Sequence, residues 1–136
     1  MNPKQRTLIV PPAAQAMYDH YHFAQATRVG DMIWVSGQVG LDAAGHAGPD
    51  VAAQARLAFE GLKAVLAEAG ASLGDVVELT TFHTDLRGQM RAFGAVKDAF
   101  FPSNYPSWTA VGVTQLATPE LLVEIRAVAV VGSALA

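Results

Sequence analysis

The sequence predicts an α+β fold: one mixed sheet with two helices on one face, in the order β-β-β-α-β-α-β-β. Three observations predict it. Apolar residues recur at helical spacing around 51–69 and 88–101. Several other short segments are rich in Val, Ile, Thr and aromatic residues and are bounded by Gly, Pro or Asp. Each helical segment lies between strands, so each makes a crossover that returns to the same sheet.

The elements follow in order. Residues up to 20 read as irregular, apart from a short strand at "TLIV". "HFAQATRVGDMIWVSGQVGLD" (22–42) reads as two strands around a Val29-Gly30-Asp31 turn. "DAAGHAGPD" (42–50) is a loop. Asp50 is placed to cap a helix that Gly70 stops. Its buried stripe is Ala55, Ala58, Phe59, Leu62, Val65, Leu66 and Ala69; Gln54, Arg56, Glu60, Lys63 and Glu68 fill the wet side. "DVVELTTFHTDL" (75–86) is a strand. A second helix runs from about Gly88 to Phe101, with Met90, Phe93, Val96 and Phe100 near one stripe, and Pro102 ends it. "SWTAVGV" (107–113) and "LLVEIRAVAVV" (121–131) are the last strands. Two layers leave one sheet face bare, and Val111, Val113, Leu122 and Val123 make it too apolar for water. A closed oligomer would cover it.

Composition narrows the function. A chain of 136 residues fits one domain, 1–136. Apolar residues make up 51% and charged residues 15%, low enough to expect surface covered by another copy. The net charge is −3 and no basic run is present, so no nucleic-acid partner is expected. The absence of cysteine excludes disulfides and thiol catalysis. Pro11 and Pro12 break the apolar run "LIVPPAAQAM", and "AVAVVGSALA" is too short to span a bilayer. The expectation is a soluble cytoplasmic protein without a membrane partner. His20, His22, His46 and His83 form no metal signature, and no phosphate loop or nucleophile elbow occurs.

Several blocks together resemble one family. "VGDMIWVSGQVGLD", the block "DVAAQARLAFEGLKAVLAEAGASLGDVVELTTFHTDL", "YPSWTAVGV" and "LLVEIRAVAV" are similar to segments of the reactive-intermediate deaminases, the Rid or YjgF-like proteins. The resemblance covers about residues 23 to 131. It implies the α+β fold shared with a class of chorismate mutases. It also implies a homotrimer with clefts between subunits, and hydrolysis of short-lived enamines and imines such as 2-aminoacrylate without metal or cofactor. In that family an arginine in "PARS" clamps the substrate carboxylate. A glutamate in "VEIEA" positions water, and a tyrosine in "PYSQ" shapes the cleft.

Residue by residue, Glu124 stands at the glutamate and is the expected catalytic group, orienting water or accepting its proton. An exposed strand glutamate is the bland alternative. Trp108 stands at the arginine, so two parallel guanidinium donors give way to one indole N–H and an apolar face. It is expected to wall a pocket, the alternative being interface core. Phe23 stands at the tyrosine. Both changes make the cleft more apolar, and the expected substrate is a small molecule other than 2-aminoacrylate. Ser36 and Gly37 match the family's "SGQ" and, with Thr109 beside Trp108, complete the expected binding set, although Gly37 reads better as serving a bulge or a close backbone approach than as catalytic. Arg87 and Arg126 are candidates to replace the lost positive charge, though Arg87 reads better as a solvated arginine at a helix start; Arg126 is placed to pair with Glu124, across the cleft or as a surface pair. His83 could act as acid or base, but reads better as structural. A trimer that kept fold and cleft but lost the chemistry is the rival reading. A ribonuclease role is disfavoured by the acidic balance.

Overall fold

The computed structural model describes residues 2–136. Its strands are β1 (Thr7–Ile9), β2 (Ala26–Val29), β3 (Met32–Val39), β4 (Val76–His83), β5 (Ser107–Gly112) and β6 (Val123–Val130). Its helices are α1 (Gln15–Tyr21), α2 (Val51–Glu68) and α3 (Leu86–Phe100). The six strands form one sheet in the order β1-β2-β3-β6-β4-β5. β4 and β5 are parallel and the other neighbours antiparallel. The α+β reading is therefore correct, and the expected order lacks only α1.

That helix was not legible because it buries no residue and so shows no apolar stripe. Its entry is a short 3₁₀ turn, Pro12–Ala14, with proline in the first turn. It ends at His22, whose φ of 61° is left-handed. Gly30, with φ of 57°, makes the β2–β3 turn between Val29 and Met32, as its sequence predicts. Asp50 caps α2 by accepting from the Ala53 N–H at 2.8 Å, and Asp85 caps α3 through Gly88. Capping by Asp85 starts α3 two residues before the expected Gly88.

Strand alternation sends Ile33, Val35, Leu79, Val123, Ile125, Ala127 and Ala129 toward the helices. They meet Ala55, Ala58, Phe59, Leu62 and Leu66 of α2 and Phe93 of α3 in one core cluster. Val123 is thus core and not part of the bare face, because the period of two sends it inward with Ile125. Met32 and Trp34, about two-fifths exposed, stand on the opposite face with half-buried Phe82, Val128 and Val130.

Gln54 also departs from its sequence reading: it is buried, not on the wet side. Its amide donates to the carbonyls of Gly48 (3.0 Å) and Glu120 (2.9 Å) and accepts from the Leu122 N–H (2.8 Å). A buried polar group survives only when so satisfied. Here the result is to tie the approach to β6, and hence Glu124, to the first turn of α2.

Candidate functional site

Glu124 lies on the helix-free face of β6, opposite Phe82 of β4 and Val39 of β3. Beside it β3 carries a bulge between Val35 and Gln38, which turns Gly37 toward the carboxylate. A Cβ on Gly37 would stand 2.7 Å from Glu124 Cδ and Oε2. Glycine at 37 therefore lets a backbone segment lie against the acid. Glu124 is half-buried, and its side chain forms no ion pair or hydrogen bond among the described residues. Burial pushes its carboxyl above the ordinary carboxylate range. Arg126 shares the face and pairs in register with Thr80, but makes no ion pair with Glu124.

Ser36 Oγ donates to the Ala24 carbonyl at 2.7 Å, and its N–H to that of Gln25 at 2.8 Å. Its hydroxyl proton is thereby committed to anchoring the loop that carries the exposed Phe23. Thr109 is exposed on the edge strand β5, paired with Thr80, so it shares the face of Glu124 and Arg126. Arg87 is exposed at the start of α3.

Trp108 lies on the other side of the sheet. It pairs with Leu79, whose side chain faces the helices. The indole N–H donates to Thr81 Oγ1 at 2.9 Å, and that oxygen is 2.8 Å from Nε2 of fully buried His83. Phe93 stacks on Trp108 at 6.3 Å and takes His83 edge-on at 4.7 Å. With its N–H committed inward, the indole offers outward only an apolar, π-rich surface. Burial lowers the pKa of His83, because desolvation penalises the charged ring.

Within one chain, then, Glu124, Gly37, Thr109 and Arg126 share one face, while Trp108 and His83 belong to the other. Two cavities, of about 580 Å³ beneath α1 and about 520 Å³ beside the 114–122 loop, are lined by neither Glu124 nor Trp108. Sequence reasoning missed two neighbours. Thr81 had no distinguishing signal. Lys97 did: it lies four residues after Phe93, inside the apolar stripe of α3, and its Nζ stands 4.4 Å from the centroid of the Trp108 ring.

Comparison with known proteins agrees with this architecture. A family model described as Endoribonuclease L-PSP matches residues 13–131. The RutC family protein YjgH of Escherichia coli is 43% identical over 83% of this chain and 87% of its own length. A 2-iminobutanoate/2-iminopropanoate deaminase of Salmonella typhimurium is 35% identical over 79% of this chain and 86% of its own. Among solved structures, protein YJGH superposes with a TM-score of 0.84 at 41% identity, covering 93% of this chain and 96% of the other. Rv2704 of Mycobacterium tuberculosis, a member of the YjgF/YER057c/UK114 family, gives 0.82 at 34% identity, covering 93% and 100%. The matched span is nearly the whole chain, and it includes the bulge at Gly37 and the strand of Glu124: the chain belongs to the Endoribonuclease L-PSP family, that of the YjgF and Rid proteins.

Proposed function

We propose that this protein hydrolyses an imine, enamine or related small molecule in a cleft between subunits of a homotrimer. The observation that carries this reading is Glu124: a desolvated carboxylate with no ion-pair partner among the described residues, against the bare backbone of Gly37, on an open sheet face. A structural glutamate would be expected in a pair or in water. Its raised affinity for a proton suits a general base. Water adds to the imine carbon as Glu124 takes one of its protons and passes it to nitrogen, giving a carbinolamine; the hydroxyl proton then follows to nitrogen through the same carboxylate as the C–N bond breaks, and a carbonyl compound and ammonia leave. The deaminase named among the relatives supports this reaction class. A cleft between copies fits the placement of Trp108 and Glu124 on opposite faces, since one copy's edge can meet another's open face.

Trp108 stands where the family resemblance sets a carboxylate-clamping arginine. A substrate other than 2-aminoacrylate follows, because no bidentate donor pair is available there. The same substitution favours the second reading, a trimer that binds a ligand without turning it over.

The test is hydrolysis of imino acids generated in place by an amino acid oxidase, with semicarbazide trapping, in wild type, Glu124→Ala and Trp108→Arg. Weak or absent wild-type activity and a gain in Trp108→Arg that vanishes with Glu124→Ala supports a retuned enzyme. Full wild-type activity on 2-aminoacrylate overturns the altered specificity. No activity in any variant, on any imine tried, favours the non-catalytic trimer.

A further inference from the structure

The cavity beneath α1 lies on the helix side of the sheet, away from Glu124, since Gln38 on its wall pairs in register with core-facing Ile125. Val35 and Gln38 both face the helices only because of the bulge between them. The volume of about 580 Å³ is within the range of small-molecule sites. Small or apolar side chains line it from both sides, Ala13, Ala16 and Met17 toward α1 and Gly61, Ala64 and Val65 on α2. Gln38 is only 9% exposed. Its amide nitrogen donates to Gln25 Oε1 at 2.9 Å and to the Ser36 carbonyl at 3.1 Å. With two acceptors at the nitrogen, the amide can be oriented only one way. That leaves Oε1, which accepts no hydrogen bond among the described residues. The polar atoms sealed from solvent without a partner are His83 Nδ1 and Gln89 Oε1, so Gln38 Oε1 is open. It opens opposite Gly61, where a Cβ would stand 3.0 Å from it. Glycine is the least favoured helix-interior residue after proline. At 61 its missing side chain keeps this oxygen reachable. Gln25 in turn donates to Met17 Sδ at 3.4 Å, which pins the thioether at the wall.

We propose that this cavity is a second binding site, separate from the Glu124 cleft, for an uncharged planar aromatic molecule that donates one N–H or O–H to Gln38 Oε1. No Asp, Glu, Lys or Arg lines the walls, so an ion entering would lose water and gain no counter-charge from them. Walls of alanine and glycine have few projections and fit a flat body, and the Met17 thioether adds a favourable contact with an aromatic ring. A nearly buried acceptor left unmet is costly, so the donor is the selective element: a ligand of the same shape without it binds less well. Binding there needs no chemistry at Glu124.

Methyl NMR tests it. The full-length protein, labelled with carbon-13 at its methionine methyls, is titrated with indole and with benzofuran, which has the same shape but no N–H. Met17→Leu assigns the Met17 methyl, and Met32, on the open face of the sheet, is the control. The expected result is saturable movement of the Met17 methyl by indole, with benzofuran weaker by about tenfold or more and Met32 unmoved. Gly61→Leu should fill the space before Gln38 Oε1 and abolish the indole response in a chain that is folded by circular dichroism. Equal affinity for indole and benzofuran overturns the proposal. So does a Met17 methyl that stays still up to about 5 mM indole, movement of Met32 in place of Met17, or undiminished indole binding in folded Gly61→Leu. The two ligands on the wild-type chain decide even if Gly61→Leu does not fold.

Discussion

At the residue scale, Glu124 sets a function against stability. Its carboxyl binds a proton more tightly in the folded chain than in the unfolded one. The folded state is thus favoured at pH below the ordinary carboxylate value, and that advantage is lost as pH rises through the raised value. Glu124→Gln should therefore flatten the pH dependence of the melting temperature in the mildly acidic range and raise it at neutral pH. Imine hydrolysis should fall by about 10²- to 10⁴-fold in the same variant. A lower neutral melting temperature in Glu124→Gln would count against an uncompensated buried acid. His83 has the opposite sign. Its lowered pKa means that stability is complete above its ordinary value and falls away as pH drops toward the folded one. Gly37→Ala probes the same acid from the backbone side. A Cβ there must displace the carboxylate, so the expected outcome is near-complete loss of hydrolysis with a folded chain by circular dichroism.

At the element scale, the first turn of α2 supports β6. Gln54→Ala would take a hydrogen-bond partner from the carbonyls of Gly48 and Glu120 and from the Leu122 N–H, all in part-buried contacts. The expected cost is about 2–3 kcal/mol in a denaturant titration, against about 1 kcal/mol for Asp50→Ala at the cap. Equal effects would mean that Gln54 is replaceable by water. The helices α2 and α3 were legible because their apolar periodicity is the direct imprint of one buried face. α1 was not, since it buries nothing and carries no such imprint. Lys97 interrupts the apolar stripe of α3 at a position that is 95% buried, and that interruption was the signal for it.

At the scale of the whole molecule, the face of the sheet away from the helices carries Met32, Trp34, Phe82, Val128 and Val130 around the polar patch of Glu124 and Arg126. An apolar face of this kind is the surface that the proposed trimer would bury. Sedimentation should give three chains, and Trp34→Glu should dissociate them while leaving far-UV circular dichroism intact. Hydrolysis should fall with dissociation, because Trp108 and Glu124 then have no second copy to bring them together. A wild-type monomer with full activity would contradict the shared cleft.

The sequence by itself determined the two long helices, the six strands, the β2–β3 turn and the family, because periodicity, capping residues and turn residues act locally along the chain. It also singled out Glu124, Trp108 and Gly37 through the blocks that resemble the family. What only the tertiary structure decided is which of these meet. The bulge between Val35 and Gln38 brings Gly37 onto Glu124. The β4–β5 register turns Trp108 toward Thr81 and Lys97, away from Glu124. Both depend on strand register, where a shift of one residue exchanges the two faces of a strand, and register is set by pairing between segments distant in sequence.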